Sequence, residues 1–514
     1  MTDRRFGTWN KFGTSNTFGA SSLNANLLWG VEVDWDGDGV FSGSNEARYM
    51  TSIRGSRGRQ RYITQDGHGF EKLQKGVYYI TLQNETGRYD AWNTSSELYP
   101  NVNYGKDVRI TVKDVSTGTV YPVFYGIIED IQPYIDPYSM EAQVFVTVVD
   151  GWGFLRNYNA SYPIQENITP GAAIGYVLDN IGWLSRWGRD LDAGSDTIRY
   201  WWADGDKTAG SVIEDIAESF VGYFFINADG KATFRTRTNV GASIEDLTQD
   251  VLLKDISLPQ PWENSRNVTR IKAHPRTAAD SGVIYQLLGN TPSIDNGNSL
   301  NLFGNYVYSN QPVPAINIID PVASTDYTMN TQPDGSGVDK TADCTVTITD
   351  FGDRAKFVIT NNAGATVYIT KLQLRGEALY EPNVSDIIYP STLPGTPRQF
   401  ILDIPWQQDV NVAADFSNVI GPFLAASHPF PIVQLEGRPA LQFAPDLFDI
   451  ITLTSEKYGI ANESFRVAYI ENESIGEGCQ GVRTKFYLEA YVSADEYWVW
   501  DTNSVFDSST IFGA

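Results

Sequence analysis

The feature that most constrains this chain is a set of short β-branched and aromatic runs in which apolar and polar residues alternate: "LLWGVEVDW", "VYYITLQN", "VRITVKDV", "VFYGIIEDI" and "QVFVTVVD". Period-two alternation puts one set of side chains on each face of a strand. Gly, Asp, Asn and Pro bound each run, so the strands are short and joined by turns. Several such strands at close spacing predict a barrel or sandwich over residues 29–157.

The same rhythm returns near the other end, in "DIITLTS", "FRVAYIEN" and "TKFYLEAY". Val108, Val123 and Val144 are separated by 15 and 21 residues, and so are Ile450, Phe465 and Phe486. Ile128-Glu129-Asp130 matches Ile470-Glu471-Asn472 at the same offset of 342 (470 minus 128). The spacing predicts two related β-barrels in one chain.

Between them the period changes. In "TPGAAIGYVLDNIGW", Thr169 stands at an N-cap and Pro170 at the first helical position, with Ile174, Val177, Leu178 and Ile181 on one stripe. "SVIEDIAESFVG" predicts a second helix capped by Ser211, apolar at Val212, Ile213, Ile216 and Phe220, and stopped by Gly222. A hairpin about Asp229-Gly230 follows, so 158–240 reads as a small α/β domain. Further on, "CTVTITDFGDRAKFVITNNAGATVYITKLQLRG" reads as a self-contained antiparallel sheet. A helix is expected over Val410 to Leu424, burying Val412, Phe416, Val419, Ile420 and Phe423.

The domain reading is therefore an N-terminal arm (1–28), a first β-barrel (29–157), an α/β domain (158–240), strands completing the final barrel (241–285), a β-sandwich-like insertion (286–399), a second barrel with one helix (400–497) and a C-terminal tail (498–514). The fold class is mainly β with a small α/β domain. At 514 residues, several domains are expected.

With 62 acidic against 38 basic residues, the net charge of -24 repels phosphate backbones and disfavours sequence-specific nucleic-acid binding. No apolar run approaches the roughly 18 residues of a membrane span, and none follows Arg4 and Arg5 as a leader would require. The expectation is a chain with no transmembrane segment and no signal peptide. Cys344 and Cys479 lie far apart without CxxC spacing, which leaves their redox state open.

The stretch "VEVDWDGDGVFSGSNEA" places Asp34, Asp36 and Asp38 at alternate positions before a glycine, the start of a calcium loop. Counted from Asp34, the twelfth position is Asn45 and Glu46 falls one late; the flanks are not amphipathic helices, so an EF-hand is excluded. Two readings remain: a turn between strands, or a structural calcium held by Asp34, Asp36 and Asp38. His68, His274 and His428 are scattered outside any HExxH, and no G-x-S-x-G or Walker loop occurs. No catalytic or cofactor-binding residue is assigned. Arg54, Arg57, Arg59 and Arg61 form a basic patch that reads either as a contact for an acidic neighbour or as a charge-blunted strand edge. Trp201-Trp202 and "YWVW" read as sugar-stacking platforms or as core and subunit contacts.

The runs "VEVDWDGDGVF", "SIRGSRGRQR", "GVYYITLQNETGRYDAWNTSSELYPNVNYGKDVRITV", "YPVFYGIIEDIQP" and "VFVTVVDGWGFL" together resemble the first domain of minor tail or tail-hub proteins of long-tailed bacteriophages. "LPQPWENSRNVTRIKAHPR", "FILDIPWQQDVNVAADFSNVI" and the segment from "DIITLTSEKYGIANESFRVAYIENESI" to the end continue the similarity over most of 28–514. The resemblance implies a baseplate-hub-like fold of two related barrels, an α/β domain and a further β domain. It also implies a non-enzymatic homotrimer at the virion tail tip that meets the sixfold tail tube, distal tail proteins and tip or fibre proteins. Phage DNA would pass transiently during genome ejection without specific binding, and the host cell surface would be near. The alternatives are a host-surface protein using the sheet at 340–376 to bind carbohydrate, and a tail-associated cell-wall hydrolase.

Overall fold

The alternating runs become the strands of one 11-stranded sheet. In chain order these are β1 (Leu27–Val33), β2 (Met50–Gly58), β3 (Gln74–Gln83), β4 (Asp107–Asp114), β5 (Val120–Ile135), β6 (Ala142–Val149), β7 (Glu245–Thr248), β8 (Ile432–Glu436), β9 (Ile450–Ser455), β10 (Ile460–Ile475) and β11 (Gly481–Ala490). The computed structural model describes residues 27–41, 45–138, 140–183, 187–237, 239, 245–248, 256–260, 264–390, 397–426, 428–476, 479 and 481–490. The C-terminal tail, "YWVW" and all of the N-terminal arm but its last two residues lie outside the described residues.

The first module is ordered β1-β4-β5-β6-β3-β2 and the second β7-β9-β10-β11-β8. In each, a three-strand meander is flanked by the module's first strand on one side and an earlier strand on the other. The duplication is thus one of topology. The long strands β5 and β10 both have 16 residues. Each pairs with the preceding strand along its first half and with the following strand further on. That stagger is what a curling sheet requires. Both also carry a β-bulge, where pairing with the next strand skips Glu129 and Ala468 respectively.

Along β5 and β10 the bulges set the correspondence at an offset of 339 (468 minus 129), and on the strands either side it is 343 (450 minus 107) and 340 (488 minus 148). Ile128 faces Val148 as Val467 faces Leu488, and Asp107 faces Ile127 as Ile450 faces Arg466. The sequence spacing found the right three strands in the wrong register. Ile128-Glu129-Asp130 lies three places from the true alignment with Ile470-Glu471-Asn472.

The cores differ in character. Trp29, Trp35, Tyr78, Tyr89 and Phe124 fill the first module. The second is mainly aliphatic, with Leu247, Val433, Leu453, Val467 and Leu488 around Phe465 and Phe486, and it takes in Phe225 from the α/β domain.

The α/β domain follows β6 through α1 (Gly151–Leu155), capped by Asp150. Thr169 caps α2 (Pro170–Asn180) by accepting the Ala172 N–H, with Pro170 in the first turn. The next helix, α3 (Ala209–Ser219), starts earlier than expected: Thr208 is its cap and accepts from the Ser211 N–H. Ser211 is inside the helix because Ala209 and Gly210 also fit its first turn. Tyr223–Ile226 and Ala232–Arg235 form the Asp229-Gly230 hairpin.

Only part of 241–285 joins the second module. Glu245–Thr248 pairs with β9, but Val268–Ala273 lies between Ser385–Pro390 and Gln399–Ile404 in a separate three-stranded sheet. The helix α4 (Val410–Ala425) shares its core with this sheet and not with the second barrel. Its buried face is rotated from the expected one and includes Ala413, Ser417 and Gly421 beside Phe416 and Ile420; Val412, Val419 and Phe423 are half-buried. Small residues allow a close approach: a Cβ on Gly421 would stand 2.3 Å from the Tyr389 ring.

The insertion is a sandwich. Cys344–Asp350, Arg354–Asn361 and Ser299–Asn305 form one sheet. Val367–Tyr380 leaves that group to pair with Gly282–Gln286, Ala315–Ile319 and Tyr327–Asn330 in the other. The stretch read as one self-contained sheet is therefore split between two, which face each other across Phe357, Ile359, Ile369 and Leu374.

Candidate functional site

The arginine-rich stretch begins on β2, which is paired with β3 on one side and with β10 on the other at the seam between the modules, and Arg59 and Arg61 follow the strand's end. Gly58 sits at φ 110°, and a Cβ there would stand 2.2 Å from the Ala468 carbonyl oxygen. Only glycine allows that approach. Arg59 N–H then donates to the same oxygen at 2.8 Å. The bulge at Ala468 is the point onto which β2 docks.

Arg57 and Arg59 are 5% and 4% exposed, so they cannot be a surface patch. Arg57 pairs with Asp446, and Arg59 makes a bidentate contact to Glu489 at 2.8 and 3.0 Å. The Arg59 guanidinium also lies over Tyr62, Tyr223 and Phe448, at 5.2 to 5.7 Å from their ring centres. Burial alone would push its pKa down, but the Glu489 charge outweighs that and holds it above the ordinary arginine value. The reading of Arg54, Arg57, Arg59 and Arg61 as one basic patch is corrected: Arg54 and Arg61 are exposed, while the other two bind the modules together. Sequence could not show this, because Glu489 is 430 residues from Arg59.

Behind the seam is a cavity of about 440 Å³ whose walls include Tyr223, Arg235, Asp446, Phe448, Asp449 and Arg466. Burial raises Asp449 to about 6, against the pull of the Asp446 N–H. Asp150 lies nearby, accepting from the Gly76 and Trp152 N–H groups; burial still raises it to about 7.

Asp34, Asp36 and Asp38 do come together, each offering one oxygen within 4.8 Å of the others. Asp34 is buried and its two oxygens accept from the Gly37 and Gly39 N–H groups, both at 2.8 Å. Burial pushes its pKa up, but those amides outweigh it and the net shift is downward. Asp38 accepts from Val40 N–H at 2.7 Å. A hard cation would share oxygens already committed to amides. Lys106 Nζ also stands 3.6 Å from where a Gly37 Cβ would be. Asn45 caps the turn Glu46–Tyr49. Glu46 is fully buried, bonded to Trp35, Arg88 and Tyr89, and is not among the carboxylates that come together.

Of the histidines, His274 has a role that sequence reading missed. Nδ1 contacts Glu381 at 3.0 Å and Nε2 contacts Asp403 at 2.6 Å, where the insertion joins the three-stranded sheet. Burial lowers its pKa, the two carboxylates raise it, and the raising effect prevails. With both nitrogens held by carboxylates it acts as a clamp; neither is left to accept a substrate proton. Next to it, Arg276 packs over Trp202 and Trp406 at 4.8 and 5.0 Å. Trp201 is wholly buried in the α/β core, and Cys344 and Cys479 are both buried free thiols. No described helix is long and apolar enough to cross a membrane.

No protein-family model matches the chain, and no curated protein does. Solved structures do. The chain is similar to the tail protein from Neisseria meningitidis MC58, with a TM-score of 0.51 at 8% identity, covering 92% of this chain and 98% of that one. It is also similar to the 43 kDa tail protein of prophage MuSo2 from Shewanella oneidensis, with a TM-score of 0.47 at 11% identity, covering 91% and 97%. At 8% identity the likeness to the Neisseria protein is one of fold, and it extends over nearly the whole of both chains.

Proposed function

We propose that this chain is a structural hub of a phage tail tip, assembling as a homotrimer that matches the sixfold tail tube and encloses part of the DNA exit channel. The observation that carries this reading is the repeated strand order of the two modules within one continuous sheet. Two similar units per chain make six around a threefold axis, the number a hexameric ring requires. The whole-chain likeness of fold to a tail protein supports the same reading. The buried bonds of Arg57 and Arg59 would fix the two units at one mutual angle, as a ring needs. A net charge of -24 suits a conduit that DNA crosses without adhering. The role requires no bond-breaking residue.

The mass of the purified assembly tests it. A trimer of a 57.1 kDa chain weighs about 171 kDa (three times 57.1), and class averages should show an axial hole. A monomer at micromolar concentration, both alone and mixed with tail-tube protein, would refute the proposal.

A further inference from the structure

A cavity of about 780 Å³ lies on the first module, away from the seam. Its walls come from the loop after β3, from Asn103 and Tyr104 before β4, and from the second half of β5. Three features distinguish it. Large aromatic and aliphatic side chains stand open to solvent: Trp92 is 94% exposed, Tyr104 74% and Ile135 61%. Glu85, Asp90, Glu129 and Asp130 add carboxylates, of which Glu129 is paired with Lys75. The lining contains no lysine or arginine. Exposed apolar surface rimmed by charge of one sign marks a site for a partner of the opposite sign.

The chain itself carries a segment of that chemistry. Between Arg4 and Phe12 lie Arg4, Arg5 and Lys11 with Phe6, Trp9 and Phe12 at every third position, and no acid. In a chain of net charge -24, this is a rare basic and aromatic stretch. Phe12 is 15 residues from Leu27, where β1 begins (27 minus 12), and so can reach up to about 50 Å. That is enough to cross its own first module or reach that of an adjacent copy.

We infer that this groove is the docking site for residues 4–12 of the chain's own N-terminal arm. The aromatic rings of the arm pack against Trp92 and Tyr104, and its cations face Asp90 and Asp130. The inference concerns the first module alone and does not depend on a role in a tail.

Cysteine trapping in the full chain tests it, since the native thiols are buried. Trp9→Cys combined with Tyr104→Cys should form a disulfide under mild oxidation. A band at monomer mass places the arm in its own groove, and one at dimer mass in a neighbour's; either supports the inference. Adding Arg4→Glu and Arg5→Glu should cut the trapping rate roughly tenfold. Because cysteines could themselves weaken docking, amide exchange is measured as well in a chain carrying only the two Arg→Glu changes. Residues 84–93 and 129–135 should then exchange several-fold faster. No cross-link, together with unchanged exchange at the groove, would overturn the inference, and protection indifferent to the arm would assign the groove to another partner.

Discussion

The two modules share a strand order and differ in how they are held. The first is continuous in sequence from β1 to β6, and its aromatic core takes in only Phe443, Cys479 and Val482 from the second module's part of the chain. The second is split: β7 comes about 180 residues before β8 (432 minus 248), and its core is completed by Phe225 from another domain. Their flanking strands differ as well, since β1 runs antiparallel to β4 while the four-residue β7 runs parallel to β9. Closing a longer loop costs more entropy, and a shorter strand repays less of it. Repeating a topology therefore does not repeat its autonomy, and the second module depends on its seam with the first.

The sharpest way to break that comparison is to cut the seam. Arg59→Ala takes both short hydrogen bonds from Glu489, 1% exposed, and leaves that buried charge only Arg466 at 3.9 Å, a loss expected to cost about 3 kcal/mol. Denaturant melts measure the total, and amide exchange locates it. Strands β9 to β11 should open before β1, β4 and β5. Equal acceleration in both modules would make them one cooperative unit and end the argument for a dependent second module. Gly58→Val tests the same joint through shape, since its Cβ would stand 2.2 Å from the Ala468 oxygen at a φ that valine avoids; a cost of about 3 kcal/mol is expected.

Next in size is the borrowed core. Phe225→Ala should cost about 3 kcal/mol. It should loosen β9 and β10 although the residue belongs to the α/β domain. If exchange changes only in the α/β domain, Phe225 is no part of the second module's support.

How much of this was legible depended on distance along the chain. The Thr169-Pro170 start of α2 and the Asp229-Gly230 hairpin are decided by adjacent residues, and both stand where sequence placed them. The strand triplets were found because alternation is local. Their register was not, because a bulge adds a residue to one strand and shifts the alternation beyond it, and residue spacing alone does not show where that happens. The partners of Arg57 and Arg59 were hidden for a different reason. Alternating arginines look alike whether the facing strand is solvent or a distant part of the chain. The rotated face of α4 was missed because alanine, serine and glycine do not register as core residues until something is seen to press against them.

A smaller effect separates seam from periphery by pH. Burial raises Asp150 to about 7 and Asp449 to about 6 at the seam, and carboxylates raise His274 at the insertion neck. Each folded-state pKa lies above its unfolded value, so the folded chain binds more protons and loses stability as pH rises through that window. Tm should fall from about pH 4 to about pH 7 through the two aspartates and further above about pH 6.5 through His274. Asp150→Asn, which cannot ionise, should flatten the seam's share of the slope, whereas His274→Gln should flatten only the insertion's. A slope untouched by Asp150→Asn and by Asp449→Asn would remove pH sensitivity from the seam.

The smallest predicted effect concerns the aspartate loop at the end of β1, where the first module's independence should show. Asp34 accepts two backbone N–H groups from a buried position, while Asp36 is exposed. Hydrogen bonds to a charged acceptor are worth about 1.5–3 kcal/mol. Asp34→Ala should therefore cost about 2 kcal/mol and Asp36→Ala under about 0.5 kcal/mol, as at most surface sites. If the loop is held by its own amides, both values stay the same in calcium and in chelator, because nothing bound only to the folded state is being added or removed. A Tm that rises with calcium in the native chain, and no longer does so in Asp36→Ala, would put a cation among Asp34, Asp36 and Asp38. The first module would then also rely on something outside its own strands, and the contrast with the second would narrow.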